Sequence, residues 1–144
     1  MDKKQIDEEK LRRSLGDEAY HVARKKGTEP PFSHPYDRLF EEGIYVDVIT
    51  KEVLFLSKDK FDAGCGWPAF SKTAPEAPVK EEEDTRYGMI RTEVATDTTH
   101  LGHVFGDGPE EMGGLRYCIN GASLEFIPKA EMEKRGYGSW LNCL

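Results

Sequence analysis

From Gly43 onward the chain is written in short runs of β-branched and aromatic residues, and that texture limits what it can fold into more than any other feature. The runs are Ile44-Tyr45-Val46-Asp47-Val48-Ile49, Val53-Leu54-Phe55-Leu56, Met89-Ile90-Arg91-Thr92-Glu93-Val94, His103-Val104-Phe105, Leu115-Arg116-Tyr117-Cys118-Ile119-Asn120 and Ser123-Leu124-Glu125-Phe126-Ile127. Such residues fit a pleated, half-buried surface, and the glycine, aspartate and proline between the runs are turn formers. The economical reading is an antiparallel all-β core over 27–128. Before it, Ile6, Leu11 and Leu15 stand among charges with Gly27 as a natural stop, which predicts an arm of one or two surface helices over 1–26. Residues 129–144 are expected to form a C-terminal helix or tail. The stretch Thr73 to Arg86, with Pro75, Pro78 and three successive glutamates, predicts an exposed loop. A length of 144 residues suits one hydrophobic core, so a single domain is expected.

Charge narrows the function. One third of the residues are charged, the net charge is −7 and the mean hydropathy is −0.65, so phosphate backbones and anionic membranes repel the chain. No nucleic-acid or membrane partner is expected. The first residues lack the apolar core of a signal peptide and no apolar run reaches membrane-spanning length, which places the protein in the cytoplasm. Three cysteines, Cys65, Cys118 and Cys143, are too few and too scattered for a secreted disulfide framework. In a reducing compartment they rest as thiols, and any of them could be chemical.

Three clusters offer chemistry. In Arg116-Tyr117-Cys118-Ile119-Asn120, strand alternation puts Arg116, Cys118 and Asn120 on one face and Tyr117 and Ile119 on the other. The cation beside Cys118 favours a thiolate, although a strand cysteine can equally be an inert core residue. In His100-Leu101-Gly102-His103, the imidazoles three apart would face opposite ways unless Gly102 permits a bulge that turns both to one site. Histidine exchanges protons near neutral pH, and Asp107 in its glycine-flanked turn could orient an imidazole or a water. The alternative is a pair of surface histidines and a turn aspartate. In Gly64-Cys65-Gly66-Trp67-Pro68, glycines open the backbone around a thiol and Trp67 offers an apolar face that sulfur favours, unless it is simply a core tryptophan after a turn. The paired prolines of Gly27-Thr28-Glu29-Pro30-Pro31-Phe32 read as a stiff extended lead-in to the β core.

Taken in order, GTEPPF at 27–32, EEGIYVDV at 41–48, LFLSKDKFDAGCGWPAF at 54–70, GMIRTEV at 88–94, HLGHVFGDGP at 100–109 and LRYCINGASLEFIP at 115–128 resemble the B-type methionine sulfoxide reductases. The resemblance implies a mainly β fold, two antiparallel sheets in a compact domain with short flanking helices. It implies reduction of the R epimer of methionine sulfoxide, protein-bound and free, with Cys118 as nucleophile and Cys65 as resolving thiol. It places Trp67 against the substrate methyl and sets His100, His103, Asp107, Arg116 and Asn120 around the sulfoxide. Many relatives bind a structural zinc through two Cys-x-x-Cys pairs. Here those stretches read Asp47-Val48-Ile49-Thr50 and Val94-Ala95-Thr96-Asp97-Thr98-Thr99, so the zinc-free branch is implied, with no metal and no cofactor. Alanine at position 69 stands where the family usually has serine.

A sulfoxide becomes electrophilic only when its oxygen is protonated or strongly hydrogen-bonded, so the site needs an acid beside the thiolate. His103 is the first candidate and His100 the second. Oxygen transfer to Cys118 leaves a sulfenic acid that condenses with Cys65, and thioredoxin reopens the disulfide. Two other readings stay open at this level: a non-catalytic zinc module built on Cys65, His100, His103 and Cys118, and a redox sensor that closes the disulfide without turnover.

Overall fold

The computed structural model describes residues 7–144. Its strands are β1 (Gly43–Asp47), β2 (Val53–Leu56), β3 (Lys60–Phe61), β4 (Ala69–Phe70), β5 (Lys80–Asp84), β6 (Arg91–Ala95), β7 (His100–Phe105), β8 (Arg116–Ile119) and β9 (Leu124–Pro128). They form two antiparallel sheets, one of order β2-β1-β9 and one of order β3-β4-β8-β7-β6-β5. The domain is therefore mainly β, as the resemblance implies.

The apolar runs explain the layering. Tyr45, Leu54, Phe55 and Leu124 of the smaller sheet and its flank pack against Phe70, Val94, Leu101, Tyr117 and Ile119 of the larger one. Phe55 stacks on Phe70 at 4.4 Å between ring centroids and Tyr45 meets Phe70 edge-on at 5.0 Å. The other side of the small sheet is buried too: Ile44, Val46, Leu56 and Ile127 pack with Met132, Trp140 and Leu141 of the C-terminal segment. Burial on both sides is why β1 and β2 read as continuous apolar runs. Each such side chain contributes about 1.5–3 kcal/mol relative to exposure.

Two helices precede the sheets, α1 (Glu8–Leu15), capped by Asp7, whose carboxylate accepts the Lys10 amide at 3.1 Å, and α2 (Asp17–Lys25). Helix α2 buries Val22 and Ala23 and touches β7 and the turn Gly121–Ser123. A last short helix, α3 (Lys129–Met132), buries Met132. Among the described residues no helix is long and apolar enough to cross a membrane.

One expectation is corrected. The stretch Thr73 to Arg86 is not all loop, because Lys80–Asp84 is β5, the outermost strand of the large sheet. Lys80 to Glu83 are exposed on both faces of the strand, and a charged edge resists pairing with other chains. Charge of that kind hides a strand from any reading based on apolar residues.

The stretches 47–50 and 94–99 meet here through hydrogen bonds. Buried Asp47, at the end of β1, accepts the Thr99 hydroxyl at 2.7 Å and the Ile49 amide at 2.8 Å on one oxygen, and the Thr96 hydroxyl at 2.9 Å on the other. The carboxylate thus ties the β1–β2 hairpin to the β6–β7 turn.

Candidate active site

Register assembles the site. His103 of β7 stands opposite Cys118 of β8 and Glu93 of β6, and Cys118 stands opposite Ala69 of β4. Directly opposed residues share a sheet face, so these four form a row on the face turned away from Tyr117 and Ile119, which enter the core. Two residues along, Asp84 opposite Arg91 and Phe105 opposite Arg116 lie on the same face. A cavity of ≈ 290 Å³ opens there, lined by Thr28, Cys65, Trp67, Arg91, Gly102, His103, Phe105, Arg116, Cys118 and Asn120.

Cys65 reaches the row from the loop before β4. Gly64 and Gly66 flank it with φ of 67° and 90°, and a Cβ on Gly66 would sit 2.6 Å from the Pro31 side chain. Glycine is required there both for the left-handed backbone and for the close approach. The Cys65 and Cys118 sulfurs are 3.3 Å apart in a shared hydrogen bond that either can donate. Two groups that share a proton titrate as a pair. The hydrogen bond from Cys118 draws Cys65 down to about 6, with the Arg116 guanidinium helping against burial. Cys118, the donor in that arrangement and the more deeply buried, is pushed up. The expected stabilisation of a thiolate by Arg116 is present, since its guanidinium lowers both thiols against burial.

The bulge expected near Gly102 exists. Val94 pairs with Gly102 and Ala95 with His100, so Leu101 is the extra residue and the two imidazoles come to 5.9 Å between centroids. They do not share the cavity. His103 lines it, whereas His100 is absent from its lining and its side chain is 2 % exposed. His100 Nδ1 meets Glu93 Oε2 at 2.7 Å, its Nε2 has no hydrogen-bond partner, and burial holds its pKa below the ordinary value, favouring the neutral ring. His103 is tied by the opposite nitrogen, Nε2, to Asp84 Oδ2 at 2.8 Å.

Asp107 reaches the cavity through Arg116 rather than through an imidazole. It is two-thirds exposed and grips Arg116 through two hydrogen bonds, at 2.9 and 3.2 Å. The guanidinium lies over the Phe105 ring at 4.4 Å, a cation–π contact that fixes it beside the thiols. Asn120 continues the face of Cys118 but is locked in place, its amide donating to the Leu101 carbonyl at 3.0 Å and its oxygen accepting the Glu29 amide at 3.0 Å. Trp67 lines the cavity and donates its indole N–H to the Glu29 carbonyl at 2.9 Å. Cys143 lies elsewhere, against the Ile44–Met132 cluster behind the small sheet.

Several site residues escape the sequence reading. Glu29 is buried, and its carboxylate accepts the Gly121 and Ala122 amides at 3.0 and 2.8 Å, so the lead-in segment is a clamp on Trp67, Asn120 and the turn after β8. Phe105 and Arg91 follow by alternation from His103 and Glu93 once the face is known. Asp84 carries no local signal, since its partner is two strands away. Among the described residues no group of three or more His, Cys, Asp or Glu is arranged to hold a metal ion, and both histidines are held by carboxylates instead. Compared with known protein families, the chain matches the SelR domain over residues 15–128.

Proposed function

The chain belongs to the SelR family, the methionine-R-sulfoxide reductases, and from that membership we propose that its cavity reduces the R epimer with Cys118 as nucleophile and Cys65 as resolving thiol. The observation that carries this reading is the 3.3 Å contact between the two sulfurs inside a cavity that also presents an imidazole and an indole.

The substrate methyl rests on Trp67, whose ring attracts sulfur and methyl groups, and the sulfoxide oxygen faces His103. The shared proton moves across the sulfur pair onto Cys65, leaving the charge on Cys118. Cys118 attacks the sulfoxide as His103 gives a proton to the oxygen. A lone pair of Cys118 forms the new bond to the protonated oxygen, oxidising Cys118 to a sulfenic acid, while the old sulfur–oxygen bonding pair stays on the substrate sulfur, which leaves reduced as a thioether. Cys65 then attacks the sulfenic sulfur, water departs and the disulfide closes. A dithiol reductant of the thioredoxin kind restores both thiols by exchange. Protein-bound and free methionine sulfoxide both present the methyl, sulfur and oxygen that this arrangement reads.

The test is the first turnover. Cys118→Ser is expected to lose all activity on the R epimer with the fold intact. Cys65→Ser is expected to release about one methionine per enzyme, then stall as a sulfenic acid that dimedone traps. Peptide mapping of wild type after one turnover should recover a Cys65–Cys118 pair. Recovery of a Cys118–Cys143 pair would move the resolving role to the tail.

A further inference from the structure

His103 and His100 are each held by one carboxylate, but by different ring nitrogens, and the difference matters for which can act as an acid. Asp84 ends β5 with its side chain 4 % exposed, outside the cavity lining. Its Oδ2 faces His103 Nε2 at 2.8 Å and Arg86 Nη2 at 2.9 Å, with Arg91 Nη2 at 3.7 Å. Its Oδ1 accepts the Arg86 amide and Nε, both at 3.0 Å. Resting on the mechanism above, we propose that Asp84 is a positioning residue that holds His103 with Nε2–H turned toward itself, so that Nδ1 is the nitrogen that delivers the proton to the sulfoxide oxygen.

An ionised carboxylate only accepts hydrogen bonds, so a ring nitrogen at 2.8 Å from it must carry hydrogen. Arg86 and His103 keep Asp84 ionised, holding its carboxyl well below the usual range. Nε2 therefore keeps its hydrogen whether the ring is neutral or charged, and the exchangeable proton sits on Nδ1. Asp84 is itself pinned by Arg86 from the backbone amide and the guanidinium, which fixes the plane of the carboxylate and with it the plane of the ring. His100, tied by Nδ1 to Glu93 and outside the cavity, has the opposite arrangement. Asp84 meets no substrate, so its loss should slow chemistry and leave capture alone.

Long-range 1H–15N correlation spectra of the reduced, 15N-labelled protein read the ring directly. Neutral His103 is expected as the Nε2–H tautomer in wild type and in Asp84→Asn, whose amide oxygen still accepts, and as a mixture in Asp84→Ala. Single-turnover reduction of the R epimer should fall roughly a hundredfold in Asp84→Ala, the scale of a misplaced general acid. Asp84→Asn should recover part of that loss, and KM should stay within about twofold in both. An Nδ1–H tautomer in wild type, or a wild-type single-turnover rate in folded Asp84→Ala, overturns the proposal. The spectrum of wild type decides even where a variant does not fold. Absence of R-epimer reduction by wild type would sink the mechanism instead, and the tautomer would still report whether Asp84 holds the ring.

Discussion

Cys65 and Cys118 share a proton across 3.3 Å, and the consequence is measurable without any substrate. With Cys65 drawn down to about 6, alkylation of the reduced protein should be half-maximal near that pH, against about 8.5 for an ordinary thiol, and mass spectrometry should find Cys65 modified first. Replacing Cys118 by serine weakens the donor, so the profile of Cys65 should move to higher pH. A wild-type profile centred on the ordinary thiol value would mean that the pair does not share its proton. At this scale the sequence was readable wherever alternation applied. Arg116, Cys118 and Asn120 fall on one side, and Tyr117 and Ile119 on the other, because side chains on a strand have a period of two. The link between Asp84 and His103 was not readable. It crosses β6, and only the register of three strands brings residues 19 apart in sequence within 2.8 Å.

The elements are coupled at a few close contacts, and these are where substitution should be most costly. A Cβ on Gly102 would lie 2.1 Å from the Cys118 carbonyl oxygen, a backbone atom that cannot swing aside. Gly102→Ala should push β7 from β8, losing about 3 kcal/mol or more by denaturant unfolding. Glu29→Ala leaves the Gly121 and Ala122 amides without their acceptor, at a cost of about 1–3 kcal/mol for each buried group. Asp84 couples β5 to β7, and its stability contribution depends on pH. Its folded pKa lies below the unfolded one, so the contribution is complete above the ordinary carboxylate range and is lost progressively as pH falls below that range toward the folded value. Wild type should therefore exceed Asp84→Asn in stability at neutral pH, and the gap should narrow below about pH 4. The apolar strands were legible from their composition and the bulge from Gly102. Edge strand β5 was not, because Lys80 to Glu83 are charged and exposed.

The whole molecule is a small sheet enclosed between a large sheet and a C-terminal segment, with Asp47 tying a hairpin of one sheet to a turn of the other. That tie consists of hydrogen bonds to a buried carboxylate. Chelator should accordingly leave the melting temperature unchanged, whereas Asp47→Ala should lower it by several degrees, since a loss of 1 kcal/mol shifts a domain of this size by about 2–8 °C. Cys143 packs behind the small sheet, away from the cavity, and Cys143→Ser should cycle like wild type. The two-sheet architecture was legible through the resemblance, while the ties between its layers depend on contacts that no local pattern records. The separation of 3.3 Å between the Cys65 and Cys118 sulfurs stands against about 2.05 Å in a closed bond. Cys65 lies between two glycines, so closure asks little of the surrounding lattice of side chains. Crystals grown in the reduced state should then survive soaking with methionine sulfoxide, diffracting in the same unit cell before and after. On the proposed cycle, a dithiol reductant would meet nearly the same outline before and after closure, and the bonded sulfurs themselves would be what marks the spent form.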